Sequence, residues 1–77
     1  MFAFFRKRRA AAELDDLIRE MKVNLENNYK SLAHEARKKL GQRTEELRAE
    51  GKLTQAEYEK YSAIFTEYTE MLRDYHH

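Results

Sequence analysis

The sequence predicts an all-α fold, an antiparallel helical hairpin with a long first helix and a shorter second helix. Proline is absent and glycine occurs only at Gly41 and Gly51, so few residues can interrupt a helix. Two apolar stripes with helical spacing cover most of the 77 residues. Cysteine is absent, so no disulfide can supplement the small core that a chain of this length forms.

The first stripe predicts a helix over about residues 10–50. Its apolar residues are three or four positions apart, and from Leu14 to Leu47 they repeat every eleven residues, or three helical turns. The stripe continues without a slip through the asparagines of residues 24–28, which are poor helix formers. We therefore favour one continuous helix. The alternative is a break near residue 27, which gives a three-helix bundle.

A turn between the two helices has the clearest local signals. Gly51 suits the left-handed position just after a helix end. Thr54 and Glu57 have the spacing of a capping box, and Leu53 with Tyr58 can form a hydrophobic staple. These signals predict a helix boundary at Gly51–Thr54.

The second stripe predicts a helix over about residues 54–75. It is broad and rich in tyrosine, which is typical of a helix with one face in a core. Its members are Tyr58, Tyr61, Ile64, Phe65, Tyr68, Met71, Leu72 and Tyr75.

The two predicted helices differ in length, roughly 60 Å against roughly 33 Å. In a hairpin, the second helix covers only residues 30–50 of the first. The apolar residues near the start of the first helix then lack a partner within the chain, which is typical of an interface. We expect a homodimer with a four-helix or coiled-coil core. Its predicted interface residues are Leu14, Leu17, Ile18, Met21 and Leu25.

Arg43 interrupts the first stripe between Leu40 and Leu47. The first interpretation is that its guanidinium reaches out to water. The second is that it meets an acid or a tyrosine hydroxyl and fixes the register. Together with its basic neighbours it forms a patch that we expect to pair with acids of the second helix, with phosphate binding as the alternative. The patch consists of Arg37, Lys38, Lys39 and Arg43.

Residues 1–9 form a basic and aromatic leader to a single hairpin domain over residues 10–77. Three phenylalanines precede four consecutive bases, Arg6, Lys7, Arg8 and Arg9. Such a segment suits an anionic surface, either a membrane interface or the phosphates of a nucleic acid. A solvated leader whose phenylalanines dock on the bundle is the competing interpretation.

The segment EELRAEGKLTQAEYEKYSAIF, residues 45–65, resembles the helical hairpin of the short C-terminal domain family called SHOCT. The shared features are an aliphatic helix end, a glycine, an aliphatic residue, a hydroxyl residue, an acid and an aromatic residue. They fall on Leu47, Gly51, Leu53, Thr54, Glu57 and Tyr58. The family's typical lysine-rich second helix is replaced here by tyrosines. The resemblance implies a role in oligomerisation or protein contacts.

No catalytic triad, glycine-rich phosphate loop or paired inward carboxylates can be found in the sequence, so we expect a protein that is not an enzyme and needs no metal or cofactor. The expected function is protein–protein interaction or oligomerisation, as a small regulator or adaptor. The alternative is an accessory module that binds an anionic surface. No apolar run approaches the roughly 20 residues of a membrane span, so we expect a cytoplasmic protein, with peripheral membrane attachment as a variant.

Overall fold

The computed structural model describes the backbone of residues 2–73 and the side chains of residues 9–73. It contains three helices, α1 (Phe2–Glu26), α2 (Lys30–Ala49) and α3 (Gln55–Arg73). The predicted all-α class is confirmed. The predicted continuous helix over residues 10–50 is wrong, because the chain breaks between Glu26 and Lys30, and the alternative break near residue 27 is the one observed.

Asn28 makes this break. Its φ of 61° lies in the left-handed region, which asparagine tolerates better than most residues. The amide of Asn28 donates to the carbonyl of Leu25 (3.1 Å), and the amide of Tyr29 donates to that of Asn24 (2.7 Å). These bonds form a Schellman motif, which terminates α1 by satisfying its last carbonyls. Tyr29 precedes α2 without a side-chain cap.

The predicted turn between α2 and α3 is confirmed. Gly51 has a φ of 73°, and the amide of Lys52 donates to the carbonyl of Leu47 (2.9 Å), so α2 also ends in a Schellman motif. The amide of Thr54 donates to Glu57 Oε1 (2.8 Å), and the amide of Glu57 donates to Thr54 Oγ1 (3.1 Å). This reciprocal pair is the expected capping box, and α3 follows it.

The helix α2 lies at the centre of the bundle and packs against both of its sequence neighbours. Both turns are short, so α1 and α3 each run antiparallel to α2. The helix α3 meets α1 through Tyr61, whose hydroxyl reaches Asp15. The buried cluster thus draws on all three helices and on the α2–α3 turn: Ala10, Leu14, Ile18, Met21, Ala36, Leu40, Leu47, Leu53 and Tyr61.

Candidate functional site

The apolar residues predicted to form an intermolecular interface lie in or beside the intramolecular core. Leu14 and Met21 have no exposed surface and Ile18 is buried, while Leu17 and Leu25 are half-buried. The prediction assumed that α1 had no partner within the chain. The break at Asn28 removes that assumption, because it folds α1 back onto α2. The structure therefore gives no unpaired stripe over residues 14–25.

Arg43 lies at the centre of an ion network that joins α1 to α2. Its Nε donates to Glu13 Oε2, its Nη2 donates to Glu13 Oε1 (3.0 Å), and its Nη1 donates to Glu46 Oε1 (2.6 Å). Of the two interpretations of Arg43, contact with an acid is the one observed. Planar guanidinium and carboxylate groups suit this two-nitrogen contact well.

The same network shifts the protonation of its carboxylates. The hydrogen bond from Arg43 lowers the pKa of Glu13 below its ordinary value of 4.5. Hydrogen bonds from Arg43 and Gln42 lower the pKa of Glu46 in the same direction. The hydrogen bonds to Glu13 and Glu46 raise the pKa of Arg43, so its guanidinium stays charged. All three groups are therefore ionised at neutral pH.

Tyr61 carries the main polar contact between α3 and α1. Its hydroxyl donates to Asp15 Oδ1 (2.8 Å) and lies 3.4 Å from the carbonyl oxygen of Ala11. Burial, followed by the hydrogen bond to Asp15, raises the pKa of Tyr61 above the ordinary 10.0. A large ring in the core with a hydroxyl bonded at its edge explains why tyrosine occupies this position.

The basic patch of Arg37, Lys38, Lys39 and Arg43 does not form the expected pairs with acids of α3. Arg37 Nη1 donates to Thr69 Oγ1 (3.1 Å), and its guanidinium lies 5.5 Å from the Phe65 ring centroid. Among the described residues, no carboxylate pairs with Arg37, Lys38 or Lys39. Lys38 and Lys39 are exposed. Arg43 faces α1, so the patch divides over two faces of α2.

A groove of about 480 Å³ runs between α2 and α3 on the outer side of the bundle. Gly41 forms part of its floor, where a Cβ atom would lie only 2.5 Å from Cε1 of Phe65. Glycine in a helix costs about 1 kcal/mol relative to alanine, and here it allows the ring to lie against α2. The groove is lined by Lys38, Gly41, Gln42, Thr44, Glu45, Tyr58, Ser62, Phe65 and Thr66.

Sequence reasoning missed this groove, although one signal could have revealed it. Gly41 stands inside an otherwise strong helical pattern, and a glycine there often marks close packing. Among the groove residues, Lys38 and Glu45 are exposed, while Phe65 is half-buried. Glu45 accepts a hydrogen bond from the Tyr58 hydroxyl (2.7 Å).

The basic segment Arg6–Arg9 belongs to α1, whose backbone is helical from Phe2 onward. Arg9 is exposed, and the side chains of Arg6, Lys7 and Arg8 lie outside the described ones. Ala10 is the first buried residue in the described part of α1. The helix α1 has 25 residues and α2 has 20, roughly 38 Å against roughly 30 Å. The helix α1 is thus the longer of the two by five residues.

Three exposed apolar side chains lie near the α1–α2 turn, at the other end of the bundle. Val23 is 45% exposed, Tyr29 56% and Leu32 48%. Val23 is on the outer side of α1, because it lies half a turn from the buried Met21. Tyr29 and Leu32 line a common pocket beside the turn, and Val23 is not part of its lining.

The described residues contain neither a cluster of metal-binding side chains nor a helix that could span a membrane. Within residues 2–73, no three His, Cys, Asp or Glu side chains come close enough together to hold a metal ion. None of the helices in the same range has both the length and the hydropathy to cross a lipid bilayer.

Comparisons with protein-family models, with curated proteins and with solved structures found no match to this chain. The resemblance of residues 45–65 to the SHOCT hairpin therefore stays a prediction.

Proposed function

We propose that this chain is a non-enzymatic binding module that attaches to an anionic surface through the beginning of α1. The observation that carries the proposal is the position of the four bases Arg6–Arg9. They are on a helix whose buried side chains, among those described from residue 9 onward, start at Ala10. Arg9, the member of the segment whose side chain is described, is exposed.

The spacing of the four bases supports contact with an extended surface. Consecutive helix positions are about 100° apart, so four in a row occupy all sides of the helix. An arrangement of this kind does not create a pocket for one small anion. Arginine and lysine side chains are long enough to reach a common surface from several sides of a helix, which suits a partner with many negative groups.

Charge alone would give only weak binding, so the proposal includes the phenylalanines at positions 2, 4 and 5. Each base near an anionic membrane contributes about 1 kcal/mol. Four bases alone therefore give roughly 4 kcal/mol, which corresponds to a dissociation constant of about 1 mM. Aromatic rings at the lipid interface would add the affinity that charge alone lacks. The aromatic rings therefore favour a membrane over a nucleic acid as the partner.

The experiment is co-sedimentation of the purified chain with vesicles. Vesicles that contain about one third anionic lipid should bind the chain, neutral vesicles should bind it at least about tenfold less, and added salt should weaken binding. Replacement of Arg6, Lys7, Arg8 and Arg9 by glutamine should abolish binding. The matched control replaces four bases elsewhere, Arg19, Lys22, Lys39 and Lys60, and should retain most of it.

A second pair of variants separates the two kinds of anionic surface. Replacement of Phe4 and Phe5 by serine should weaken vesicle binding at least about fivefold. If nucleic acid is the partner instead, the chain will bind an oligonucleotide in a low-salt gel shift at a lower concentration than it needs to bind vesicles. Binding to neither surface at low salt, or equal loss in the control variant, would contradict the proposal.

A further inference from the structure

The groove between α2 and α3 has the charge pattern of a surface that binds a second copy of itself. Lys38 lies toward one end of the groove and Glu45 toward the other. Seven residues of α2 separate them, which is two helical turns or roughly 10.5 Å. Gly41 is near the midpoint. The lining of the groove is thus basic at one end and acidic at the other, where Arg48 and the Tyr58 hydroxyl also contact Glu45.

We propose that two copies of the chain associate through this α2–α3 face, related by a two-fold axis that passes near Gly41. A two-fold interface uses the same patch on both partners, so a residue and its contact each occur twice. An axis perpendicular to the groove places Lys38 of each copy beside the partner's Glu45. The two copies then run antiparallel, and unlike charges meet at both ends.

The contacts of Lys38 and Glu45 also favour a second copy of the chain as the occupant of the groove. Lys38 is exposed and has no carboxylate partner among residues 9–73. Glu45 is exposed as well, and its polar contacts within the same range are the Tyr58 hydroxyl and Arg48, whose guanidinium lies 3.9 Å away. A partner helix of uniform charge would meet repulsion at one end of the groove. A second copy in antiparallel orientation meets attraction at both.

The area of the α2–α3 face limits the strength of the proposed dimer. Two helices about 28 Å long and about 10 Å wide offer roughly 600 Å² on this face. A standard interface buries about 800 Å² on each partner, so this one is at the small end. We therefore expect a weak dimer, with a dissociation constant of about 10 µM to 1 mM. It is independent of surface attachment, because the basic segment of α1 is not part of it.

The test is sedimentation equilibrium without vesicles, at concentrations up to about 1 mM. The apparent mass should rise from 9.3 kDa toward twice that value. Lys38→Glu and Glu45→Lys should each weaken association at least about fivefold, because each places like charges together twice. The double variant exchanges the two ends and should restore association to within about twofold of the original.

The control pair is Lys22→Glu and Glu20→Lys on α1. Both residues are exposed and lie off the α2–α3 face, so these changes should leave association unaltered. Circular dichroism verifies that every variant keeps its helices, as expected for exposed positions. A mass that stays at 9.3 kDa throughout would overturn the proposal. So would a double variant that associates no better than the single ones, since rescue is specific to the crossed pairing.

Discussion

The guanidinium of Arg43 on α2 binds the carboxylate of Glu13 on α1 through two nitrogen atoms, although thirty residues separate them in the chain. Both side chains are about one third to two fifths exposed, so solvent screens much of their attraction. The main consequence of this contact is geometric. It fixes which turn of α1 lies beside which turn of α2.

The first prediction concerns the stability of the fold at acidic pH. Glu13→Gln should lower the free energy of unfolding at pH 7 by only about 0.5–1 kcal/mol, after allowance for screening. Because the folded pKa of Glu13 lies below 4.5, its contribution is complete above pH 4.5 and is lost as pH falls through the lowered folded value. In urea titrations between pH 7 and pH 3, the free energy of unfolding should fall less on acidification in the variant than in the original chain. Glu35→Gln, an exposed change on α2, is the control.

A second prediction tests the break between α1 and α2. Asn28→Ala should destabilise the fold by about 1 kcal/mol, because alanine tolerates the left-handed conformation poorly. Asn28→Gly should be neutral or slightly stabilising. In a continuous helix the order would be reversed, since alanine favours a helix interior and glycine does not. Asn27→Ala is the matched control, and thermal unfolding gives the ranking.

Met21→Glu tests where the apolar face of α1 is buried. Met21 has no exposed surface, so a charge there should cost more than about 3 kcal/mol and abolish most of the helical circular dichroism signal. If residues 14–25 formed only a dimer interface, the variant would keep its helicity and would change only from dimer to monomer in sedimentation. Lys22→Glu, the exposed neighbour, should fold normally.

Tyr61 gives a prediction about the stability of the fold at alkaline pH. Tyr61→Phe should cost about 1–2 kcal/mol, because it removes the bond to the Asp15 carboxylate. The pKa of Tyr61 is raised, so its contribution is complete below the ordinary value of 10.0 and is lost as pH rises through the folded value. Unfolding measured from pH 9 to pH 11 should therefore show a steeper loss for the original chain. Tyr29→Phe, which removes a hydroxyl from an exposed side chain, is the matched control.

Local chemistry made the α2–α3 turn predictable. Gly51, Thr54 and Glu57 are within seven residues, and their roles depend on backbone bonds that neighbours in sequence can satisfy. The α1–α2 break has equally local chemistry but a weaker signal. Asn28 acts as the left-handed residue that ends one helix, whereas in the sequence only their low helix propensity distinguishes these asparagines.

The error at Asn28 removed the premise of the interface prediction. Because the eleven-residue repeat stays in phase across the break, the pattern could not distinguish one straight helix from two antiparallel ones. Leu14 and Met21 are apolar for the same reason in both cases, which is burial. Only the direction of the chain after Glu26 decides whether α2 or another molecule covers them. The partners of Arg37 and Tyr61 depend on that direction as well.

The central position of α2 also has a consequence for the speed of folding. Each helix packs mainly against the helix that precedes or follows it, so the chain closes only short loops as it collapses. Helical domains with such local connections fold in microseconds to milliseconds. Both hairpins close short loops that begin with Schellman motifs, and α1 packs against α2 more extensively than α3 does. The Tyr61–Asp15 contact spans 46 residues and needs both hairpins in place.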